Sequence, residues 1–205
     1  GAGFALDWGI YLKHPEWALY DNRGKVQNLG GWLVIMNIGP QSSWSDHIIQ
    51  EYIKALTQLD FDGIQMDTYG FPKTAFSMNN GRKHYRQLEE DIHGFINKAR
   101  KELEMYRKDA GIFFNAVNNW PANDVAEALT DASYIEVWPP NDRYISLYNI
   151  INNAREKGHK PVILAAYLPA FKHNAESAAV ESETDGTVCN GVEKRTADAV
   201  AAENG

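Results

Sequence analysis

The sequence predicts an α/β fold of the (β/α)8 TIM-barrel type, represented in part, from about its third or fourth strand to its seventh. Short apolar segments alternate with longer segments of helical periodicity, and near-continuous hydrophobicity is typical of parallel strands buried on both faces. The chain has 205 residues, whereas a closed eight-stranded barrel usually needs about 250. We therefore expect an incomplete barrel.

Four strands are expected in the parallel sheet, and each is a short apolar segment bounded by turn signals. They lie near residues 61–66, 112–117, 134–138 and 161–167. A further strand is expected at residues 32–37, closed by Gly39 and Pro40. Residues 1–31 show no helical period and contain several turn signals, so we expect loops with a hairpin there.

Helices are expected between these strands. Ser43 with Asp46 three residues later resembles a capping box, and the apolar positions that follow repeat at spacings of three and four. Those positions are Trp44, Ile48, Ile49, Tyr52, Ile53, Leu56 and Leu59. A polar loop is expected at residues 71–81, followed by a long helix at residues 82–107.

The inner face of that long helix is expected to consist of Tyr85, Leu88, Ile92, Phe95, Ile96, Ala99, Leu103 and Tyr106. A short helix is expected near residues 124–129, and another begins near residue 141 and buries Tyr144, Leu147, Tyr148 and Ile151. Residues 1–171 are therefore assigned to the partial barrel. Residues 172–205 are rich in Ala, Glu, Ser, Thr, Asn and Gly, and we expect an irregular polar tail.

Composition narrows the function. The formal net charge is −7 and the mean hydropathy is −0.45, so a basic surface for nucleic acid is not expected. No apolar run approaches the roughly 18 residues of a transmembrane helix, and we expect no membrane insertion. Cys189 is the single cysteine, which excludes an intrachain disulfide and a cysteine-based metal site.

Neither a metal nor a cofactor is expected. The histidines are scattered, without the HxH or HExxH spacing of a metal site. They are His14, His47, His84, His93, His159 and His173. The sequence also shows no Gly-rich phosphate loop after a strand and no Gly-x-Ser-x-Gly elbow, so phosphoryl transfer and serine hydrolysis are weakly supported.

Two carboxylates stand out because each belongs to a strand that ends in a loop. Asp67 follows the strand near residues 61–66, and Glu136 lies in the strand near residues 134–138, which is two strands further along the chain. Barrel enzymes build their active sites at the carboxyl ends of strands. Side chains converging from ends about 10 Å apart can bring two carboxyls to the separation of either a retaining or an inverting glycosidase.

Glycoside hydrolysis needs one acid that is ionised and one that keeps a proton. The apolar neighbours Ile135, Val137 and Trp138 favour a protonated Glu136, whereas the Gly-bearing loop after Asp67 can supply hydrogen-bond donors to a carboxylate. The structural alternative is that these acids cap the following helices or pair with Arg82 or Arg143.

Several segments in order resemble glycoside hydrolase family 66, the endo-dextranases and cycloisomaltooligosaccharide glucanotransferases. The resemblance covers about residues 4–171. It rests on Phe61-Asp62-Gly63-Ile64-Gln65-Met66-Asp67-Thr68-Tyr69-Gly70, Phe114-Asn115-Ala116-Val117, Tyr134-Ile135-Glu136-Val137-Trp138 and Leu164-Ala165-Ala166-Tyr167. Asp60 stands where the family usually has Gly, and neither the first nor the last strands of the barrel nor the flanking β-sandwich domains are recognisable. We expect the chain to be the central part of a catalytic domain.

The resemblance implies a retaining mechanism on α-1,6-glucan (dextran and isomaltooligosaccharides), with Asp67 as nucleophile, Glu136 as general acid/base and Asp62 in a structural position. Tyr69, Asn115, Trp120, Trp138 and Tyr167 are the implied substrate contacts. The principal expectation is hydrolysis of internal bonds, with cyclising transglycosylation by the same family as the alternative. Because dextran is extracellular, the resemblance implies export, although no signal peptide is visible.

Two further alternatives follow from the same residues. The missing strands favour a carbohydrate-binding segment without turnover, which would bind isomaltooligosaccharides without releasing reducing ends. An unrelated barrel hydrolase acting on a different glycan would also fit two acids at strand ends, and a panel of α- and β-glucans would detect it.

Overall fold

The computed structural model describes residues 4–5, 8–67, 70 and 72–166, and the fold is given for these residues. The elements of the first half are β1 (Phe4–Ala5), α1 (Trp8–Lys13), a 3₁₀ turn (Pro15–Trp17), β2 (Leu19–Tyr20), β3 (Asn28–Leu29), β4 (Leu33–Ile35), α2 (Ser43–Gln58) and β5 (Gly63–Met66). Those of the second half are β6 (Thr74–Asn79), β7 (Arg82–Gln87), α3 (Leu88–Leu103), β8 (Gly111–Val117), α4 (Ala122–Glu127), β9 (Ala132–Val137), α5 (Tyr144–Gly158) and β10 (Val162–Ala166).

A four-stranded parallel sheet forms the centre of the fold. Its strands lie in the spatial order β5-β8-β9-β10, and every adjacent pair is parallel. All four strands expected from the sequence are present, and helices connect them. The prediction of an α/β fold with a parallel sheet is therefore confirmed. Asp67 directly follows one strand of this sheet, and Glu136 lies in another.

The core lies between this sheet and the helices. On α3, Ile92, Phe95, Ile96, Ala99 and Leu103 are fully buried, which matches the predicted stripe. On α2, Trp44, Ile49, Ile53 and Leu56 are buried, whereas Leu59 is 65% exposed because the helix ends at Gln58. The N-cap of α2 is Ser42, one residue before the predicted capping box, and its Oγ accepts hydrogen bonds from the N–H groups of Trp44 and Ser45.

The prediction of a polar loop followed by a helix over residues 71–107 was wrong in its first part. β6 and β7 form an antiparallel hairpin, and α3 begins only at Leu88. The two turn residues, Asn80 (φ 49°) and Gly81 (φ 73°), both adopt the left-handed conformation that a tight two-residue hairpin requires. Tyr85 is consequently 60% exposed in a strand rather than buried in a helix, and Tyr106 lies beyond the helix end and is 55% exposed.

The N-terminal region also differs from its prediction. A helix, α1, forms where loops were expected. The observed hairpin pairs β3 with β4, with Leu29 opposite Leu33, so only its first strand lies in residues 1–31 and its second is the strand expected at residues 32–37. These strands join β1 in one antiparallel sheet, and β2 pairs with β6 in another. The hairpin β6–β7 is thereby hydrogen-bonded to the N-terminal region.

The predicted burial of Tyr144 and Tyr148 on α5 was wrong, since both side chains are more than 60% exposed. The stripe that faces the core consists of Leu147, Ile150 and Ala154, spaced by three and four residues. The helix was predicted correctly, but the buried face was not, because the two tyrosines were counted as core residues and are exposed.

Gly63, the first residue of β5, allows an unusually close approach between two parallel strands. A Cβ atom at this position would lie 2.3 Å from the carbonyl oxygen of Gly111, the first residue of β8. A backbone atom cannot yield to such a contact, so this strand pair depends on glycine at residue 63.

Residues 172–205, the predicted polar tail, lie outside the described residues, and the boundary at residue 171 stays a prediction. Among the described helices, none is both long and apolar enough to cross a membrane.

Candidate active site

The two carboxylates come from strands on either side of β8. Asp67 follows the last residue of β5, and Glu136 is the penultimate residue of β9. β5 and β9 both pair with β8, whose Asn115 lies opposite Tyr134 of β9. The parallel register therefore brings Asp67, Asn115 and Glu136 to the carboxyl end of three adjacent strands.

A single nitrogen atom joins the two acids. Asn115 Nδ2 donates to Asp67 Oδ1 at 2.9 Å and to Glu136 Oε2 at 2.7 Å. These two oxygens consequently lie no farther apart than about 5.6 Å, the sum of the two distances. Carboxyl groups separated by about 5–5.5 Å are typical of retaining glycosidases, whereas inverting enzymes need about 6.5–9.5 Å.

Glu136 is further oriented by Trp138, which follows the last residue of its strand. The indole Nε1–H of Trp138 donates to Glu136 Oε1 at 2.8 Å, so both oxygens of Glu136 accept a hydrogen bond. Trp138 is in turn held by Asn118, whose Oδ1 accepts from the Trp138 backbone N–H at 3.3 Å and from Asn141 Nδ2 at 3.1 Å. The sequence analysis did not identify Asn118, although the consecutive polar pair Asn118-Asn119 after a strand was the available signal.

The exposure of the two acids differs. Asp67 is exposed and Glu136 is half-buried, while Asn115 between them is only 5% exposed. Neither acid is the N-cap of a following helix, since the N-cap residues of α3, α4 and α5 are Gln87, Pro121 and Arg143. The capping alternative is therefore excluded for both.

Trp120 is packed into the structure rather than standing free. Its ring contacts a small buried cluster formed by Leu19, Ile35, Ala75 and Leu88. The ammonium group of Lys73 lies 3.6 Å from the ring centroid, a cation–π arrangement. Lys73 also donates to the carbonyl of Gly70 at 2.9 Å, and burial lowers the pKa of Lys73 against the opposing charge of Glu89.

The remaining predicted substrate contacts stand differently. Trp138 is 43% exposed beside Glu136, whereas Tyr69 and Tyr167 lie outside the described residues. The assignments of Asp67, Glu136 and the five contacts stay predictions at this point. The structure brings Asp67, Asn115, Glu136 and Trp138 together, and it places Trp120 on the loop after β8.

The comparison with known families decides the class of protein. The model of Glycosyl hydrolase family 66 matches residues 5–193, nearly the whole chain. The chain belongs to this family. The resemblance seen in the strand motifs is confirmed.

Two curated relatives of this family 66 chain share one activity. Two proteins of Niallia circulans, each a cycloisomaltooligosaccharide glucanotransferase, are 29% and 27% identical to it over 198 and 186 residues. The alignments cover 90% and 82% of this chain but 20% and 19% of those proteins. The chain therefore spans about a fifth of the length of the curated relatives it matches.

A solved structure gives the same picture. The crystal structure of a Paenibacillus sp. cycloisomaltooligosaccharide glucanotransferase complexed with cycloisomaltoheptaose matches with a TM-score of 0.70 and 27% identity. The match covers 78% of this chain and 24% of that one. The α/β arrangement of this family 66 chain is thus similar to that of a carbohydrate-active enzyme.

A polar cavity of about 180 Å³ opens beside the loop after β8. Its lining includes Glu89, Asn119, Trp120, Asp124 and Asn153. Burial and the charge of Glu89 raise the pKa of Asp124. None of the described residues that line this cavity belongs to the central group of Asp67, Asn115 and Glu136, although the predicted substrate contact Trp120 is one of them.

No three His, Cys, Asp or Glu side chains in residues 4–5, 8–67, 70 and 72–166 are placed to hold a metal ion.

Proposed function

We propose that this chain supplies the catalytic carboxylates of an enzyme that cleaves and re-forms α-1,6-glucosidic bonds with retention, and that its principal reaction is cyclisation of isomaltooligosaccharides. The observation that carries the proposal is the pair of hydrogen bonds from Asn115 Nδ2 to Asp67 and Glu136. They hold two acids from different strands within the distance that double displacement requires. Family membership supports the substrate class.

In the first step, Asp67 is the nucleophile and Glu136 the general acid. A carboxylate oxygen of Asp67 attacks C1 of a glucosyl unit while the bond from C1 to the leaving O6 breaks. Glu136 transfers its proton to that O6, so the leaving chain departs as a neutral alcohol. The product is a glycosyl–Asp67 ester and an ionised Glu136. The Trp138 and Asn115 N–H donors on Glu136 support the ionised form after this step.

In the second step, Glu136 acts as the general base. It removes a proton from an incoming hydroxyl, whose oxygen attacks C1 as the ester bond to Asp67 breaks. When the hydroxyl is water, the result is hydrolysis. When it is O6 at the non-reducing end of the same glucan, the result is a ring.

The choice between water and O6 as the acceptor decides between hydrolysis and cyclisation, and here the proposal differs from the principal expectation of the sequence analysis. The sequence favoured hydrolysis of internal dextran bonds, with cyclisation as the alternative. Both curated relatives and the similar crystal structure are cycloisomaltooligosaccharide glucanotransferases, and this supports cyclisation over hydrolysis. Hydrolysis remains the second candidate, since the same carboxylates perform it.

Three finer assignments accompany the proposal. The parallel sheet β5-β8-β9-β10 is the middle part of a (β/α) barrel, and Trp138, with its half-exposed ring beside Glu136, contacts the glucan. Tyr69, Trp120 and Tyr167 are assigned as further substrate contacts on the family resemblance. Export to the extracellular polymer is proposed on the same ground.

Product analysis on dextran tests the proposal. The full-length protein is incubated with dextran, and the products are separated by chromatography and mass spectrometry. We expect cyclic isomaltooligosaccharides, which lack a reducing end and are lighter by one water than linear products. Linear isomaltooligosaccharides alone would favour the hydrolytic candidate, and no cleavage of α-1,6-glucan would contradict both.

Retention is tested separately through the nucleophile. In Asp67→Gly the missing carboxylate leaves room for azide, which would attack C1 from the same face. The expected product is a glycosyl azide of inverted configuration, seen by proton NMR, because a single displacement has replaced two. Absence of any azide adduct together with normal turnover would remove Asp67 from the nucleophile role.

A further inference from the structure

Asn115 occupies a position that differs from that of a substrate contact. It lies in the middle of the three strands, it is 5% exposed, and its neighbours Phe114 and Ala116 are fully buried. Its amide nitrogen carries two hydrogens, and two acceptors take them, Asp67 Oδ1 and Glu136 Oε2. No N–H of this amide is left to donate to a sugar hydroxyl.

The orientation of the amide follows from the charge of its partners. A carboxylate oxygen is an acceptor, and the amide oxygen cannot donate to it. The ionised Asp67 therefore requires the amide nitrogen on its side, and the same nitrogen lies 2.7 Å from Glu136 Oε2. In agreement, Asn115 Oδ1 is buried and accepts no hydrogen bond from the described residues, so the amide bears an unsatisfied acceptor in order to present both donors to the acids.

We propose that Asn115 is a positioning residue that sets the separation and the facing of the two catalytic carboxyls. The inference rests on the proposed function, because it assigns to Asn115 a role that acts through Asp67 and Glu136. One nitrogen bonded to both side chains fixes their separation in either charge state of the reaction, with Asp67 ionised before the first step and Glu136 ionised after it. Strand β8 fixes the amide, and the amide fixes the acids.

This role accounts for the residue type. Serine has one O–H donor and could serve one acid only. Aspartate has nearly the same shape but would bring a third carboxylate to the two already present, and glutamine would place its nitrogen one carbon further from β8. Asparagine is the side chain that supplies two donors from one atom at this distance from the strand.

The test compares Asn115→Ala with the unchanged protein on two substrates. The full-length protein is assayed on dextran and on isomaltosyl fluoride, whose fluoride leaves without protonation. We expect kcat on dextran to fall roughly 10²- to 10³-fold, as for other lost preorganising donors, with little change in KM. On the fluoride the loss persists, because the misplaced nucleophile is still required.

The two-substrate comparison separates positioning from other roles. For Glu136→Gln the fluoride restores much of the rate of the first step, since acid assistance is no longer needed. A loss in Asn115→Ala that appears in KM alone would assign Asn115 to substrate binding and overturn the proposal. Wild-type kcat on dextran would overturn it as well.

Asn97→Ala is the matched control. Asn97 is also an asparagine with structural hydrogen bonds, since its Oδ1 accepts from Leu129 N–H at 2.8 Å, but it lies on α3. We expect a lower melting temperature and unchanged kcat. If Asn115→Ala does not fold, Asn115→Asp keeps the side-chain volume without the donors, and wild-type kcat in that variant overturns the inference.

Failure of the inference is distinguishable from failure of the proposed function. An inactive Asp67→Asn together with a fully active Asn115→Ala would remove the positioning role and leave the catalytic pair intact. A fully active Asp67→Asn would remove the catalytic pair, and the positioning role with it.

Discussion

The two ends of the parallel sheet use acidic residues in opposite ways. At the amino ends of the strands, Asp62 and Asp131 pair with arginines. At the carboxyl ends, Asp67 and Glu136 accept hydrogen bonds from the neutral amide of Asn115. Asp62 and Asp131 directly precede β5 and β9, whereas Asp67 and Glu136 lie at the carboxyl ends of the same two strands. Position along the strand therefore distinguishes the two kinds of acid.

The amino end is built for stability. Arg100, which is 9% exposed, donates to the carbonyl oxygens of Ala110 and Leu129 and to Asp131. Arg107 donates to the Phe61 carbonyl at 2.8 Å and to Asp62 at 2.7 Å. These two arginines tie the chain entering β5, β8 and β9 to the end of α3.

The carboxyl end carries the acids of the proposed reaction. The amide of Asn115 and the indole of Trp138 orient these carboxyl groups without adding a positive charge, and the proposed reaction uses a carboxylate charge to stabilise an oxocarbenium-like centre. The comparison teaches that acids on the same two strands can have different partners: arginines serve Asp62 and Asp131, and one neutral amide is shared by Asp67 and Glu136.

The largest expected effect comes from exchanging one aspartate at each end of β5. Asp67→Asn should lower turnover by roughly 10⁴-fold, because an amide cannot form the glycosyl ester. Asp62→Asn should leave turnover near normal, since the side chain of Asp62 is 96% exposed and its partner is Arg107. Steady-state rates on dextran for the two variants measure the contrast.

Equal losses in the two variants would break the distinction between the ends. Melting temperatures measured on the same samples check that each protein is folded.

A smaller loss of activity is expected for Glu136→Gln on β9. General acid–base catalysis contributes roughly 10²- to 10⁴-fold, and the amide cannot give up a proton to the leaving oxygen. Rates on dextran should fall by that factor, and the products should keep their configuration. A variant with normal rates on dextran would move the general acid elsewhere.

At the amino end the expected effect is on stability. Arg100→Leu removes the donors to the buried Ala110 carbonyl and the partly buried Leu129 carbonyl, together with the partner of Asp131. We expect the free energy of unfolding to fall by about 2 to 4 kcal/mol. Urea denaturation followed by circular dichroism measures the change. The folded fraction should retain its kcat, and a specific loss of kcat would show that this end also serves the reaction.

The smallest effect concerns acid stability. Desolvation alone would raise the pKa of Asp131, but the Ile112 N–H and the Arg100 guanidinium outweigh it and hold that pKa below its usual range. The ionised form therefore stabilises the fold above the unfolded-state pKa of about 3.9, and this contribution is lost as the pH falls through the lower folded-state value.

Asp131→Asn should accordingly be less stable at neutral pH, by no more than about 1 kcal/mol because Asp131 is half-exposed. Its stability should decline less steeply than that of the unchanged protein between about pH 4 and pH 2. Parallel melting curves across this range measure the difference, and equal slopes would contradict the assigned ion pair.

The parallel sheet and the two acids could be predicted from the sequence because both depend on local signals. Strands buried on both faces are nearly all apolar, and a carboxylate that ends such a strand is conspicuous. The shared donor could not be predicted, because it depends on β8 lying between β5 and β9 and on the register that places Asn115 beside Asp67. Sequence alone suggested a substrate contact for the same residue.

Other differences have equally specific causes. Asn80-Gly81 is a strong hairpin signal, but β7 is polar and alternates only weakly. Its residues were therefore predicted to be the first part of the helix that became α3. Tyr144 and Tyr148 were predicted to be buried, but Ile150 and Ala154 are the residues of this helix that lie in the core. Asp60 adopts φ 57°, a conformation that favours glycine, which gives a physical reason for the residue usual at this place in the family.

The hairpin β6–β7 has a consequence for how such an enzyme can diversify. The hairpin lies between Asp67 and α3 in the sequence, and β2 pairs with it to form a separate three-stranded sheet. It therefore takes no part in the hydrogen bonding of the parallel sheet. The length and the sequence of this hairpin can therefore change during evolution without moving the strands that carry the two acids.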